Sequence, residues 1–221
     1  MKKEEVLKRI AEVGVVPVVR ASSAEEALRV VEAIREGGVP VLEITMTVPG
    51  AVHVIERVAD AFGDSVVLGA GTVLDAETAR ACMLAGATFV VGPSLNLATI
   101  EMCRRYSVAV LPGALTPTEI VTAWQAGADV VKVFPCGALG GAKYLKSLKA
   151  PLPQIEMMPT GGVSLSTAAE FIEAGAYALG VGADLVNTKA IREGRPQEVT
   201  EAARAYVEAV RRARAGNAQA V

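Results

Sequence analysis

Eight short apolar runs, each followed by a segment with helical spacing, constrain the fold of this chain more than any other feature. The runs are rich in β-branched residues, which is typical of parallel strands that helices cover. The predicted strands are Val15–Arg20, Val39–Thr45, Val66–Gly69, Thr88–Gly92, Val108–Leu111, Asp129–Phe134, Ile155–Pro159 and Tyr177–Val181. Eight such units in series predict an α/β fold, a (β/α)8 TIM barrel, with an open Rossmann- or flavodoxin-like sheet as the alternative.

The chain contains no Pro/Gly/Ser-rich linker, so we interpret residues 1–221 as a single domain. A length of 221 residues fits one barrel, which commonly takes roughly 200–250 residues. Residues 1–13 predict an extra helix before the first strand, and residues 214–221 predict a frayed tail.

Three serine and threonine residues predict helix starts. Ser22 with Glu25 has the spacing of a capping box, and Thr116 is followed by a proline at the first helical position. Ser164 is expected to open the helix that follows the seventh strand.

Composition excludes several classes of function. A net charge of -2 and a pI of about 5.6 provide no basic surface for nucleic acid. No run approaches the roughly 20 apolar residues that span a bilayer, and the N-terminus lacks the apolar core of a signal peptide. The three cysteines are odd in number and widely spaced, which favours a reducing compartment. The sequence therefore predicts a soluble cytoplasmic protein with neither a nucleic-acid nor a membrane partner.

His53 is the only histidine, whereas a catalytic zinc site usually takes two or three imidazoles. We therefore expect no histidine-rich metal site, whereas magnesium held by carboxylates is left open by the sequence.

Lys132 is the only one of eight lysines that lies inside a strand-like run. Alternation places it on one face with Val130 and Phe134, and if this face is the lumen, apolar walls surround the amine. Burial disfavours the ammonium form, and a neutral amine can form an imine with a ketone. The alternatives are an ion pair inside the barrel or an amine that reaches outward to solvent.

Glu43 shares a face with Val41 and Thr45 in the second strand. An unpaired carboxylate there would be costly, so Lys132 is its expected partner across the lumen. We interpret Glu43 as a proton shuttle; a structural ion pair is the alternative, and one pair can serve both purposes.

Arg20 and Thr72 stand at the ends of the first and third strands. The planar guanidinium of Arg20 suits a substrate carboxylate, and a surface salt bridge is the alternative. Thr72 ends a Gly-Ala-Gly-Thr run that is not a dinucleotide fingerprint, because Leu74 occupies the third glycine position.

Two glycine clusters, Pro159-Thr160-Gly161-Gly162 and Gly180-Val181-Gly182-Ala183, follow the seventh and eighth strands. Loops at these places, with a helix N-terminus, form the recurrent phosphate site of such barrels. The helix expected at Ser164 would supply that N-terminus.

Four motifs in order resemble the 2-keto-3-deoxy-6-phosphogluconate (KDPG) and 4-hydroxy-2-oxoglutarate (KHG) aldolase family, from about Val15 to Val186. They are Leu42-Glu43-Ile44-Thr45, Gly69-Ala70-Gly71-Thr72, Val131-Lys132-Val133-Phe134-Pro135 and Pro159-Thr160-Gly161-Gly162. The resemblance implies a homotrimeric class I aldolase without a metal or any other cofactor. Its substrate would be a small 2-keto acid, often a phosphorylated sugar derivative, cleaved to pyruvate and either glyceraldehyde 3-phosphate or glyoxylate.

The resemblance also implies residue roles. Lys132 would form the Schiff base and Glu43 would move protons through water. Thr72 would hold the pyruvate carboxylate. The remaining implied residues are Phe134 and Thr160 in the pocket, Pro93 nearby, and the backbone of Gly161, Gly162, Gly182 and Ala183 around the phosphate.

Two departures separate this chain from other members. It has Thr47-Val48 where some members have Arg-Thr, so we expect carboxylate recognition to move to Arg20. It has Ala183 where many members have serine, which removes one hydroxyl from the phosphate site. A galactonate-type aldolase, a phosphosugar epimerase with Glu43 as base and Lys132 as a charge, and a non-catalytic phosphate-binding barrel are the alternative functions.

Overall fold

The computed structural model describes residues 1–219, with side chains as far as residue 216. Its strands are β1 Val15–Val19, β2 Val41–Thr45, β3 Val67–Gly71, β4 Phe89–Val91, β5 Ala109–Leu111, β6 Gly113–Ala114, β7 Val131–Val133, β8 Met157–Pro159 and β9 Leu179–Val181. Its helices are α1 Lys3–Val13, α2 Ala24–Glu36, α3 Ala51–Phe62, α4 Ala76–Leu84, α5 Leu97–Arg105, α6 Pro117–Ala126, α7 Ala142–Lys149, α8 Ala168–Glu173, α9 Thr188–Arg192 and α10 Pro196–Gln219.

All strand pairs are parallel, and they form two sheets. One has the order β5-β4-β3-β2-β1-β9 and the other β6-β7-β8. Each predicted run contains a strand. The short strand β6 lies beyond the fifth predicted run and is separated from β5 by Pro112, which has no N–H to pair with a neighbour. The two sheets meet at two places. At one, β6 follows β5 along the chain, and at the other an isolated parallel bridge between Thr160 and Gly180 links the end of β8 to β9.

Two apolar layers pack on opposite sides of the strands. Val41 and Val130 belong to an inner cluster, which also includes Val6 and Ile10 of α1. Leu42 belongs to the outer cluster between the strands and the surrounding helices. Because side chains alternate along a strand, Glu43 and Lys132 face the same interior as Val41 and Val130.

The ends of several elements differ from the predictions. The capping box at Thr116 is present as predicted. The prediction for α2 was wrong by one residue, because Ser23 is the N-cap and accepts from the N–H of Glu26. The prediction that Ser164 opens a helix was also wrong. Thr167 accepts the N–H of Ser164 at 3.0 Å, closing a turn, and α8 begins only at Ala168.

The C-terminal segment, expected to fray over 214–221, continues α10 as far as Gln219, and residues 220–221 lie outside the described residues. Within residues 1–219, no helix combines the length and apolarity that crossing a membrane requires.

Candidate active site

Lys132 of β7 and Glu43 of β2 face each other inside the fold. The Nζ of Lys132 lies 3.9 Å from Oε1 of Glu43, with 6% and 1% of their side chains exposed. Neither carboxylate oxygen has a hydrogen-bond donor among the described residues. Buried polar atoms are nearly always satisfied, so these oxygens are available to a proton donor that enters the site.

Burial raises the pKa of the Glu43 carboxyl above its ordinary value, and the positive charges of Lys132 and Arg20 oppose this effect only in part. Burial therefore favours the protonated form of Glu43 more than exposure would, and a carboxyl group can both donate and accept a proton in a catalytic cycle. The arrangement is therefore suited to general acid–base chemistry beside an amine.

Gly71 of β3 leaves the space that the Glu43 carboxylate occupies. A Cβ at this position would lie 2.5 Å from Oε1 of Glu43. Gly180 of β9 has the same relation to Thr160, because a Cβ there would lie 2.1 Å from the threonine Oγ1. Oγ1 of Thr160 is buried and has no partner among the described residues. Two glycines thus make room for two polar side chains that lack partners.

A cavity of about 290 Å³ opens at the C-terminal ends of the strands. Seven predicted site residues line it, namely Arg20, Phe134, Thr160, Gly161, Gly162, Gly182 and Ala183. The Nζ of Lys132 is 5.3 Å from the centre of the ring of Phe134, which lines this cavity. Phe134 is thus the contact that links the buried pair to the cavity, although neither Lys132 nor Glu43 is among the residues that line it.

Like Lys132 and Glu43, the predicted residues Thr72 and Pro93 lie outside the cavity lining. Thr72 directly follows β3 and has a φ of 58°, a left-handed conformation that is uncommon for a threonine. Such strained backbone often occurs at binding sites. Pro93 follows β4, and its backbone lies so close to Gly113 that a Cβ there would be 2.2 Å from the proline carbonyl carbon.

Arg20 is exposed and makes no ion pair within the described part of the chain. Its guanidinium extends over the loop after β9, since a Cβ at Gly182 would lie 3.6 Å from Nη1. Arg20 is therefore a cation free to pair with an anionic ligand in the cavity. Thr47, at the departure from the arginine-bearing members, is exposed, and its hydroxyl lies 2.7 Å from that of Thr45.

The sequence did not lead us to Asp184, which follows Ala183 in the chain and also lines the cavity. The rule that selected Arg20, a polar residue just beyond a strand, could have selected Asp184 as well. The helix N-terminus expected at Ser164 is displaced, because a turn over residues 164–167 separates the glycine pair from α8. Across residues 1–219, no group of three or more His, Cys, Asp or Glu side chains is placed to hold a metal ion.

Comparison with known proteins identifies relatives for nearly the whole chain. The family model described as KDPG and KHG aldolase matches residues 6–202. The chain is 36% identical to 2-dehydro-3-deoxy-6-phosphogalactonate aldolase of Escherichia coli K12, over 88% of the chain and 95% of that protein. It is 31% identical to the KHG/KDPG aldolase of the same organism, over 88% and 91%.

One solved structure shows a covalent state of such a protein. KDPG aldolase from Legionella pneumophila, with pyruvate captured at low pH as a covalent carbinolamine intermediate, superposes with a TM-score of 0.85 at 28% identity. The match covers 91% of this chain and 97% of that one.

Proposed function

The chain belongs to the KDPG and KHG aldolase family, and on that premise we propose that it cleaves a 2-keto acid to pyruvate through a Schiff base on Lys132. The buried pair of Lys132 and Glu43, 3.9 Å apart beside a cavity, is the observation that carries the proposal. An amine and a carboxyl group inside an apolar lumen are the two groups that imine chemistry needs.

The reaction begins when the lone pair of neutral Lys132 attacks the C2 ketone of the substrate. Loss of water from the carbinolamine gives an iminium, which withdraws electrons from C3. The C3–C4 bond then breaks as the C4 hydroxyl loses its proton, and the products are an aldehyde and an enamine. Protonation of the enamine at C3 and hydrolysis release pyruvate and restore the amine. The carbinolamine captured in the Legionella relative supports this order of steps.

Glu43 is the group we assign to these proton transfers, directly or through a water molecule. Its carboxylate is buried and lacks a hydrogen-bond donor within the described residues. Burial raises its pKa above the ordinary value, which favours the protonated form that can return a proton. Positioned proton transfer contributes roughly 10²–10⁴-fold to catalysis.

Arg20 and Thr72 are the residues we assign to the substrate carboxylate. Arg20 forms no ion pair within the described residues and lines the cavity. Phe134, Thr160 and Pro93 would enclose the reacting carbons. The backbone of Gly161, Gly162, Gly182 and Ala183 would receive a phosphate, if the substrate carries one, because N–H groups in glycine loops bind anions.

The substrates we propose are KDPG, which yields glyceraldehyde 3-phosphate, and KHG, which yields glyoxylate. The galactonate epimer of KDPG is the alternative, since a relative named for it is 36% identical. The cavity of about 290 Å³ accommodates the distal part of a six-carbon chain.

We also propose that the two sheets close into one (β/α)8 barrel, with α1 covering its N-terminal end. Two features support this closure: β6 follows β5 along the chain after a single residue, and a bridge joins Thr160 to Gly180. Supporting the cover is the packing of Val6 and Ile10 into the inner cluster.

A cytoplasmic homotrimer is the assembly and location that we propose. The three free, buried cysteines are consistent with a reducing compartment.

Leu74 and Leu97 are 57% and 53% exposed. Asn96, which precedes Leu97, donates to the carbonyl of Leu74 at 3.0 Å, so the two segments that carry these leucines are in contact. A second copy of the chain would cover these side chains, and light scattering of the purified protein measures the number of subunits directly.

Coupled pyruvate release tests the activity. KDPG, its galactonate epimer and KHG are supplied to the wild type, to Lys132→Met and to Lys189→Met as the matched control. Lys189 is 74% exposed and lies outside the cavity lining. Pyruvate release by the wild type and the control, and none by Lys132→Met, is the expected result. Undiminished release by Lys132→Met contradicts the proposal.

A further inference from the structure

Asp184 lines the cavity and makes hydrogen bonds that connect three segments: the loop after β9, the turn that contains Leu165, and α10. It lies in the loop after β9, and its Oδ2 accepts the backbone N–H of Leu165 at 3.0 Å. The same oxygen accepts the hydroxyl of Tyr206 from α10. Leu165 belongs to the turn that follows Gly161 and Gly162.

Tyr206 is a rigid hydrogen-bond donor for Asp184. Its side chain is 1% exposed and packs in the outer core, so the position of its hydroxyl is set by the packing of α10. Aromatic side chains buried with a polar tip usually find one defined partner, and here the partner is the carboxylate of Asp184. The geometry of Asp184 therefore depends on the core rather than on the surface.

The two loops joined by Asp184 are the ones that line the cavity with glycine. Gly161 and Gly162 belong to the first loop, and Gly182 and Ala183 to the second. Neither loop supplies a lysine, an arginine or a serine hydroxyl to the cavity lining, so backbone N–H groups are what they offer to an anion. Backbone donors act on one ligand only if the distance between the two loops is held.

We propose that Asp184, anchored by Tyr206, is a positioning residue for the phosphorylated end of the substrate. It holds the two glycine loops at the separation that a phosphate monoester bridges. The inference rests on the proposed aldolase function and adds a determinant of selectivity between phosphorylated and unphosphorylated 2-keto acids.

The test compares Tyr206→Phe and Asp184→Asn with the wild type, using KDPG and KHG as substrates. Tyr177→Phe is the matched control, because the Tyr177 hydroxyl also donates to a single partner, the carbonyl of Leu7 at 2.7 Å, at a place outside the cavity lining. Inorganic phosphate serves as a direct probe, measured as a competitive inhibitor of KDPG cleavage.

We expect Tyr206→Phe and Asp184→Asn to raise the KM for KDPG and the inhibition constant of phosphate by about tenfold, as the loss of one hydrogen bond to a charged group does. The kcat for both substrates and the KM for KHG are expected to stay within about twofold of the wild type. Tyr177→Phe is expected to change none of these constants.

Either of two changes in KM overturns the inference. An equal rise in KM for KDPG and KHG would show that Asp184 supports the whole site and has no particular role at the phosphorylated end of the substrate. A lower KM for KDPG in Asp184→Asn would mean that the carboxylate repels the phosphate instead of organising its site. Borohydride trapping of pyruvate separates this inference from the proposed function. If Asp184→Asn traps pyruvate at the wild-type level and keeps the wild-type ratio of KM values for KDPG and KHG, the positioning role alone is refuted. If the wild type fails to trap pyruvate, both the positioning role and the proposed function are refuted.

Discussion

Replacing Gly71 by alanine would place a methyl group against the carboxylate of Glu43. The added Cβ would lie 2.5 Å from Oε1, whereas ordinary contact begins at 3.4 Å, so the carboxylate must retreat by about 0.9 Å. Gly71 has no positive φ, and alanine is therefore acceptable to the backbone. The clash with Glu43 is the perturbation that remains.

The size of the effect follows from this displacement. A misplacement of about 1 Å in a catalytic arrangement costs roughly 10²-fold in rate, so kcat should fall by about that factor. Overpacking of a core costs about 1–3 kcal/mol, and each kcal/mol lowers the Tm of a chain of this size by about 2–4 °C. The amine of Lys132 is not displaced, so borohydride trapping of pyruvate should persist.

Coupled pyruvate release, thermal unfolding and trapping are measured on Gly71→Ala, with Gly216→Ala as the control. A Cβ at Gly216 meets nothing within 4 Å. A Gly71→Ala enzyme that is destabilised as expected but keeps kcat within about twofold of the wild type would refute the assignment of proton transfer to Glu43.

Three further predictions concern single side chains. Glu43→Gln should still trap pyruvate on Lys132 but release it roughly 10²–10⁴-fold more slowly, as stopped-flow and steady-state assays would show. Gly180→Ala should raise the KM of the 2-keto acid, because its Cβ would lie 2.1 Å from Oγ1 of Thr160; an unchanged KM would argue against a substrate contact by Thr160. Burial raises the pKa of Glu26, but hydrogen bonds from a neighbouring serine and arginine outweigh burial and leave it below its ordinary value of 4.5. The stabilisation by Glu26 is thus present above about pH 4.5 and lost below it, so Glu26→Gln should lower the free energy of unfolding by about 1–3 kcal/mol at pH 7 and by less at pH 3, as measured by urea titration.

Period-2 alternation predicted the two most important orientations from sequence alone. Lys132 shares parity with Val130, and Glu43 with Val41, and both apolar partners belong to the inner cluster. Strand ends likewise predicted the cavity, because parallel strands bring their carboxyl ends to one side of a sheet. These features depend on local periodicity, which a sequence displays directly.

Features that depend on distances between remote segments escaped prediction. Asp184, in the loop after β9, accepts a hydrogen bond from Tyr206 of α10, and nothing in the sequence indicates that these two residues are partners. The turn at Ser164 was mistaken for a helix start because a serine accepts or donates equally well in a short turn and at an N-cap. The close approach of Gly71 to Glu43 likewise required coordinates.

Borohydride reduction in the presence of labelled pyruvate, followed by peptide mapping, tests the central claim most directly. The account predicts one stable pyruvate-derived label, carried by the peptide that contains Lys132 and absent from Lys132→Met. A wild-type chain that stays unlabelled at saturating pyruvate, or a label located on any other lysine, would contradict it.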